Sequence, residues 1–215
     1  KKEPVWSPDG KYIAYISNKT GIDEIWITDL SGEFQRQITS SEFNKSAPCW
    51  SPDGKYIVYQ IYENNLSRLK IAEIDGREAD IIIRSRFDIN EAAPCWSPDG
   101  KYIVYTSNAS GKYEIWLYDI FNRIHKQITV TQGASGAPDF SPDSKKIIFL
   151  NEIDNNQEIF IINIDGSGLN RLTQTIDKNE LTCVFSPAGN EILCSYSQIN
   201  SDNIEICLLS LGWKD

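Results

Sequence analysis

A short segment that returns at a nearly constant interval constrains this chain more than any other feature. The pattern Trp-Ser-Pro-Asp-Gly-Lys-Tyr-Ile occupies residues 6–13, 50–57 and 96–103, and shorter copies begin at Phe140 and Phe185. The aromatic residues that open the copies are 44 to 46 residues apart. A fixed period of this length indicates a repeat architecture.

Each repeat is predicted to contain four short strands. Ser-Pro-Asp-Gly is typical of a type I turn that ends in a residue with positive φ, and therefore of a β-hairpin. Ser144 stands where the other copies have glycine, so we expect strain in the fourth hairpin. The third strand of a repeat is predicted to begin at a glutamate, as at Glu24 and Glu114. The fourth strand is short and is predicted to end near Gln-Ile-Thr. No run with a helical period is long enough for a globular helix.

Four-stranded units of about 45 residues match the blades of a β-propeller. A lone four-stranded sheet has two faces to cover, so blades stack around an axis and aromatic anchors fill the wedges between them. The predicted fold is an all-β propeller forming one domain of five repeats, the last of them incomplete after three strands. The anchors are Trp6, Trp50, Trp96, Phe140 and Phe185, and the predicted blades are residues 1–40, 41–84, 85–130, 131–174 and 175–215.

These motifs resemble the repeat of the TolB-like C-terminal β-propeller family, which is related to prolyl-oligopeptidase-type propellers. The residues that carry the resemblance are Pro-x-Trp-Ser-Pro-Asp-Gly-Lys-x-Ile, Glu-Ile-Trp-Ile-x-Asp-Leu and Gln-Ile-Thr. The resemblance implies a propeller that usually has six blades, whereas this chain contains five anchors. Two arrangements therefore stay open: a compact five-bladed ring, or part of a larger propeller whose open blade edges invite self-association.

Composition excludes several classes of partner. The 215-residue chain has 21 Lys and Arg against 30 Asp and Glu, for a net charge of −9. A surface this acidic repels phosphate backbones, so we expect no nucleic-acid partner. No apolar run approaches the roughly 18 residues of a membrane helix. The chain enters the repeat at once, so we also expect no signal peptide in it.

The candidate catalytic and metal-binding residues are few. The single histidine, His125, excludes a cluster of several histidines and would have to serve any serine-hydrolase triad alone. No Gly-x-Ser-x-Gly elbow is present. We therefore predict a structural role for His125 and no catalytic residue, metal or cofactor.

Five cysteines in a chain of this length do not indicate a disulfide framework. Cys49 and Cys95 share one repeat position, directly before the anchor tryptophan. They are predicted to lie in neighbouring inner strands as small buried hydrophobic residues. Cys194 is predicted to lie nearly opposite Cys207, where a bridge is geometrically conceivable, although free thiols are favoured.

Two sets of aspartates have simple structural explanations. The recurring Asp9, Asp53, Asp99 and Asp143 would form a ring of carboxylates by symmetry, but turn geometry already accounts for each of them. Asp139 is the one charged residue at its repeat position. It either lines the axial channel or accepts backbone N–H bonds, and we favour the second interpretation.

The variable segments indicate where a partner would bind. The hairpins repeat almost unchanged, whereas the links between blades differ, and binding residues tend to lie on loops held by a rigid scaffold. Counting back five residues from each anchor places Lys45, Glu91, Ser135 and Glu180 at equivalent sites around the channel mouth. The predicted binding set is completed by Arg84, Arg86, Asp88, Asp177 and Lys178.

The predicted function is a non-catalytic scaffold that binds another protein or a peptide. The family resemblance implies an exported or periplasmic location in a bacterial cell envelope and an envelope protein as partner, such as the peptidoglycan-associated lipoprotein. The alternative is the substrate-gating propeller of a larger peptidase or polysaccharide lyase whose catalytic part lies outside this chain.

Overall fold

A computed structural model describes residues 1–77, 88–198 and 203–212. Eighteen strands occupy this part of the chain, and no helix is among them. The strands are β1 (Lys2–Trp6), β2 (Tyr12–Ser17), β3 (Glu24–Asp29), β4 (Gln35–Gln37), β5 (Lys45–Trp50), β6 (Tyr56–Glu63), β7 (Leu66–Glu73), β8 (Glu91–Trp96), β9 (Tyr102–Ser107), β10 (Glu114–Asp119), β11 (Ile124–Gln127), β12 (Ser135–Phe140), β13 (Lys146–Ile153), β14 (Asn156–Asn163), β15 (Asn170–Arg171), β16 (Lys178–Phe185), β17 (Glu191–Gln198) and β18 (Ile204–Ser210).

The strands form five antiparallel sheets, each a meander in chain order. The sheets are β1–β4, β5–β7, β8–β11, β12–β15 and β16–β18, and they are called blades 1 to 5 below. The predicted all-β propeller of five repeats is therefore confirmed. A fourth strand of blade 2 was predicted in a segment that lies outside the described residues. Blade 5 has three strands in its described part, as the sequence predicted.

Short polar contacts hold each hairpin between the first two strands of a blade. In blade 1, Gly10 donates its N–H to the Ser7 carbonyl at 2.9 Å, and the Ser7 hydroxyl donates to Asp9 Oδ1 at 2.7 Å. The same hydroxyl accepts the N–H of Tyr12. The hydrogen bond from Ser7 is the largest of the effects that lower the pKa of the Asp9 carboxyl. The recurring aspartates are thus turn residues, as predicted.

The fourth hairpin has the conformation that the sequence predicted to be strained. Ser144 has a φ of 59°, close to the 69° of Gly54 and the 75° of Gly100 at the equivalent position. The structure adds a compensating contact, because Asp99 of blade 3 donates its N–H to Ser144 Oγ at 3.0 Å. Serine here combines backbone strain with a hydrogen bond between blades.

Consecutive blades bury apolar faces against each other. Trp50 packs among Ile16 and Ile25 of blade 1, Trp96 packs on blade 2, and Phe140 packs on blade 3. These three anchors are 4–7% exposed. Four junction clusters of this kind link blades 1 to 5 in order.

The two end blades each leave one apolar face uncovered. Trp6 is 62% exposed and does not seal a junction, because each anchor packs on the blade before it and no described sheet precedes blade 1. Blade 5 exposes Val184, Leu193 and Leu208, which face one another across its three strands. Within the described chain, the first and last blades do not share the strand packing that joins consecutive blades.

The described residues contain no helix that is long and apolar enough to cross a membrane.

The contact at Ser144 generates a prediction with two substitutions. Ser144→Ala keeps a side chain at positive φ and removes the acceptor for the Asp99 N–H, so we expect it to destabilise the fold by about 1 kcal/mol. Ser144→Gly also removes the acceptor but relieves the strain, so this variant should be more stable than the alanine variant by roughly 1 kcal/mol. Urea unfolding of both variants measures the difference. An alanine variant as stable as the glycine variant would show that strain contributes nothing.

Candidate functional site

The four residues predicted to surround the channel mouth do occupy equivalent positions, but their side chains are buried. Lys45, Glu91 and Ser135 begin the inner strands of blades 2 to 4, and Glu180 lies in the inner strand of blade 5. They are 1–4% exposed. Their positions are equivalent, but their side chains lie largely in the junctions between blades, and Ser135 also lines a cavity described below.

At the junction of blades 1 and 2, Lys45 binds a carboxylate. Its Nζ lies 2.8 Å from Glu24 Oε1, and both side chains are at most 2% exposed. Lys45 also donates to the Ser41 hydroxyl at 2.6 Å. Glu24 accepts hydrogen bonds from the Thr39 hydroxyl and the Ser41 N–H, at 2.5 and 2.8 Å. The ion pair is therefore supported by hydrogen bonds, which a buried pair requires.

The junction of blades 3 and 4 repeats this arrangement with a neutral residue in place of Lys45, and the cation beside its glutamate is Lys112, whose Nζ lies 3.2 Å from Glu114 Oε1. Glu114 accepts the Thr129 hydroxyl at 2.5 Å and the Thr131 N–H at 2.9 Å. Ser135 replaces the lysine, and its hydroxyl donates to Glu114 Oε2 at 3.4 Å. Asn151 completes the network by donating to Ser135 Oγ at 3.0 Å.

The junction of blades 4 and 5 places two carboxylates together. Glu158 accepts the Thr175 N–H at 2.9 Å and is paired with Arg171 Nη2 at 2.9 Å. Thr175 Oγ1 lies 3.3 Å from both carboxylate oxygens of Glu180 and 3.4 Å from Glu158 Oε1. Burial, followed by the charge of Glu158, raises the pKa of Glu180.

Blade 2 exchanges the charges of this position. Strand register places Arg68 opposite Ile61, as Glu24 lies opposite Ser17 in blade 1, so Arg68 holds the position of the glutamate. Glu91 of blade 3 holds the position of Lys45. The junction of blades 1 and 2 therefore has an acid in the third strand and a base in the next inner strand. The junction of blades 2 and 3 has a base in the third strand and an acid in the next inner strand.

Sequence reasoning missed this shared feature, which we call the junction clasp. It consists of a glutamate at or near the start of the third strand, a threonine after the fourth strand, and the residue five before the next anchor. The signal was present, because Glu24, Glu114 and Glu158 recur together with threonine in Gln-Ile-Thr or Arg-Leu-Thr.

The other predicted binding residues have different positions. Asp88 and Asp177 are exposed in the links that precede blades 3 and 5. Lys178 is half-buried, with its Nζ 4.2 Å from the ring centroid of Tyr196. Arg84 and Arg86 lie outside the described residues.

A cavity of about 300 Å³ opens on the face that carries the blade links, between blades 3 and 4. Alanines from both inner strands line it, together with Tyr113, Leu150 and Gln157. Ser135 of the predicted set also contributes to its wall. Thr106 lines the cavity with a buried hydroxyl that has no hydrogen-bond partner within the described chain. This polar atom in an apolar wall is suited to bind a hydrogen-bonding ligand group.

A larger cavity, of about 410 Å³, lies on the opposite face between blades 1 and 2. Its wall consists largely of hairpin residues such as Asp9 and Asp53, whose side chains already bond within their own turns. Arg36 also lines it and donates to the Ile74 carbonyl. The repeat itself therefore accounts for most of these polar groups.

The histidine has a structural environment. Its Nδ1 lies 2.7 Å from the Tyr105 hydroxyl, its ring is 4.8 Å from that of Tyr118, and burial lowers the pKa of His125. His125 lies within β11. Among residues 1–77, 88–198 and 203–212, no group of three or more potential metal-ligating side chains is suited to hold an ion.

Asp139 accepts a backbone hydrogen bond, as we favoured from the sequence. Phe185 of blade 5 donates its N–H to Asp139 Oδ2 at 3.0 Å. Cys194 lies opposite Cys207 in the strand register, also as predicted, and all five cysteines are free.

Five consecutive meander sheets joined through aromatic anchors define a repeat protein of the β-propeller class. The TolB beta propeller domain family matches residues 56–203, more than half of the chain, so the chain belongs to that family. The resemblance of the repeat is thereby confirmed.

The chain is similar to several known proteins. A protein TolB homolog from Protochlamydia amoebophila is 48% identical over 42 residues, which is 20% of this chain and 9% of that protein. The crystal structure of TolB from Acinetobacter baumannii has a TM-score of 0.82 and 27% identity, covering 98% of this chain and 51% of that one. A puromycin-hydrolyzing peptidase from Mycobacterium tuberculosis has a TM-score of 0.77 and 12% identity, covering 97% and 36% respectively. The chain thus spans about half the length of the Acinetobacter TolB.

The buried ion pair generates a prediction about stability. Lys45→Met leaves the Glu24 carboxylate buried without its cation, so we expect a loss of about 3 kcal/mol in the free energy of unfolding. Lys55→Met is the matched control, because Lys55 pairs with Asp53 at 3.8 Å while 73% exposed. The control should change stability by less than about 0.5 kcal/mol. Equal losses in chemical denaturation would contradict the assigned role of the pair.

The acid pair at blades 4 and 5 generates a prediction about pH. A raised pKa in the folded state means that folding favours the protonated Glu180 carboxyl. The ionised Glu180 carboxylate therefore destabilises the fold. This effect appears as pH rises through the ordinary pKa range of glutamate, and it is absent below that range. Glu180→Gln should raise the thermal midpoint at pH 7, and the gain should disappear near pH 4.

The matched control for this prediction is Glu33→Gln, which changes an exposed loop residue. It should leave the midpoint nearly unchanged at both pH values. If Glu180→Gln lowers the midpoint at pH 7, the carboxylate stabilises the junction and the proposed repulsion is wrong.

Proposed function

We propose that this chain is a non-catalytic scaffold that binds a protein segment on the face carrying the blade links. The observation that carries the proposal is the cavity between blades 3 and 4, with the unpartnered Thr106 hydroxyl in its wall. Of the four residues predicted around the channel mouth, Ser135 lines this cavity, which lies on the face that the variable links predicted.

The chemistry of the cavity suits a peptide. Ala92, Ala137 and Leu150 offer an apolar wall to a side chain, and Tyr113 is 39% exposed among the lining residues. The Thr106 hydroxyl can donate to, or accept from, a backbone amide of the same segment. Protein interfaces commonly depend on one such anchor in a desolvated pocket. The net charge of −9 favours a neutral or basic partner segment.

The setting of this function is proposed from the family. Membership of the TolB propeller family supports a bacterial envelope location and an envelope protein as partner. The peptidoglycan-associated lipoprotein that the resemblance implied is the first partner to test. Self-association through the uncovered faces of blades 1 and 5 is a separate proposal, supported by the exposure of Trp6 and Leu208.

The alternative is a substrate-gating propeller attached to a peptidase or lyase. Its support is a fold similarity to a peptidase at 12% identity, which carries no information about activity. No specific contact in the described chain favours it over the scaffold.

The test of the scaffold uses the soluble domain of the lipoprotein encoded by the same genome, titrated calorimetrically. Ala92→Phe should fill the cavity and weaken binding at least about tenfold, the equivalent of 1.4 kcal/mol. Ser46→Phe is the matched control, because Ser46 holds the same repeat position in blade 2 and does not line this cavity. Unchanged affinity for Ala92→Phe, or equal weakening in the control, would contradict the site. Lack of binding by the unsubstituted chain would contradict the lipoprotein as partner.

A further inference from the structure

The repeat position directly before each anchor holds an unusual set of side chains. Valine occupies it in blades 1 and 5, as Val5 and Val184, so the position requires no more than a small apolar group. Blades 2, 3 and 4 instead carry Cys49, Cys95 and Asp139. Packing alone does not explain why two thiols and a carboxylate stand side by side in consecutive inner strands.

These three side chains form a chain of polar contacts across two junctions. The Sγ atoms of Cys49 and Cys95 are 3.8 Å apart. The Trp96 N–H donates to Cys49 Sγ at 3.1 Å. Cys95 Sγ lies 3.4 Å from Asp139 Oδ1, within reach of its S–H, and Asp139 Oδ2 accepts the Phe185 N–H. The two sulfurs are thus adjacent, and one of them faces a proton acceptor.

Their surroundings distinguish this pair from two of the other cysteines. Cys183 and Cys194 are 3% and 1% exposed within the apolar cluster between blades 4 and 5. Cys49 and Cys95 are only half-buried. Cys49 and Cys95 are therefore less deeply buried than Cys183 and Cys194.

We propose that Cys49 and Cys95 form a thiol–disulfide exchange site, which a small-molecule disulfide oxidises to a bond between blades 2 and 3. The Cys49 thiolate attacks one sulfur of the reagent, the S–S bond of the reagent breaks, and the first thiolate leaves. Cys95 then transfers its proton to Asp139, and its sulfur attacks the Cys49 sulfur and releases the second thiolate. The two protein thiols lose two electrons, the reagent gains them, and the protons end on the released thiols through Asp139 and water.

The electrostatics of the three groups assign these roles. The Cys95 thiol, followed by the Trp96 N–H, stabilises a Cys49 thiolate against the effect of burial, so the pKa of Cys49 is lowered. The adjacent Cys49 sulfur raises the pKa of Cys95, as does burial. Burial also raises the pKa of Asp139, which makes its carboxylate a better proton acceptor. Cys49 is therefore the attacking thiol, and Cys95 the resolving one.

The bond would join residues 46 positions apart in two different blades. Closing a loop of this length restricts the unfolded chain, so oxidation should raise the thermal midpoint, by roughly 5–10 °C for a chain of this size. The site would thereby couple the redox state of the surroundings to the rigidity of the contact between blades 2 and 3.

The experiment treats the folded chain with 2-hydroxyethyl disulfide and follows intact mass and digested peptides. We expect the loss of two hydrogen masses, a peptide that links Cys49 to Cys95, and a higher thermal midpoint that a reductant reverses. Cys95→Ser should stop at a stable mixed disulfide on Cys49, and Cys49→Ser should lose the fast reaction. Asp139→Asn should accumulate the mixed disulfide, with its resolution slowed at least about tenfold.

A matched control replaces Cys183, Cys194 and Cys207 by serine and should leave the oxidation unchanged. If that triple variant does not fold, the peptide map of the unsubstituted chain gives the same information. A link between Cys194 and Cys207 in place of the predicted one would overturn the proposal. A mixed disulfide that persists in the unsubstituted chain, or no reaction of the folded protein, would overturn it equally.

Discussion

The burial of one sheet face against the next is the interaction on which this structure depends. A lone meander of three or four strands cannot cover its own faces, so each blade is stable only where a neighbour covers it. Trp50, Trp96 and Phe140 supply the largest side chains for this contact, and a buried aromatic residue of this size stabilises a fold by about 3 kcal/mol or more. The exposure of Trp6 shows the same rule at the end of the series, where no preceding face exists in the described chain.

The parts of the fold that depend on local chemistry could be predicted from the sequence. The Ser-Pro-Asp-Gly turn fixes a hairpin through contacts within five residues, so its spacing gave the number of blades directly. The conformation of the fourth hairpin could also be predicted, because Ser144 must adopt a positive φ to keep the same turn. The hydrogen bond that Ser144 accepts from Asp99 could not be predicted, since that contact depends on how far one blade is rotated against the next.

The direction of the side chains near the channel could not be predicted, for a related reason. Counting back from the anchors identified equivalent positions, but it gave no information on whether Lys45 or Ser135 faces the channel or the neighbouring blade. A register shift in the inner strands, between Ser46 and Cys49 in blade 2, alters the alternation on which such a count depends. Residue variation was therefore interpreted as a binding surface where the structure places a clasp between blades.

The clasp explains why variation and burial occur together at these positions. The glutamate of the third strand needs hydrogen-bond donors, and the next blade supplies one from lysine at the junction of blades 1 and 2 and from serine at the junction of blades 3 and 4. At the junction of blades 4 and 5 the next blade supplies a second acid, and Glu158 is paired with Arg171 of its own blade. The aromatic anchor, which fills a fixed volume, hardly changes. Differences between repeats can thus reflect how each junction satisfies a buried charge, and they need not indicate a surface that binds another protein. The proposed binding site is therefore the cavity between blades 3 and 4, where the Thr106 hydroxyl has no hydrogen-bond partner within the described chain.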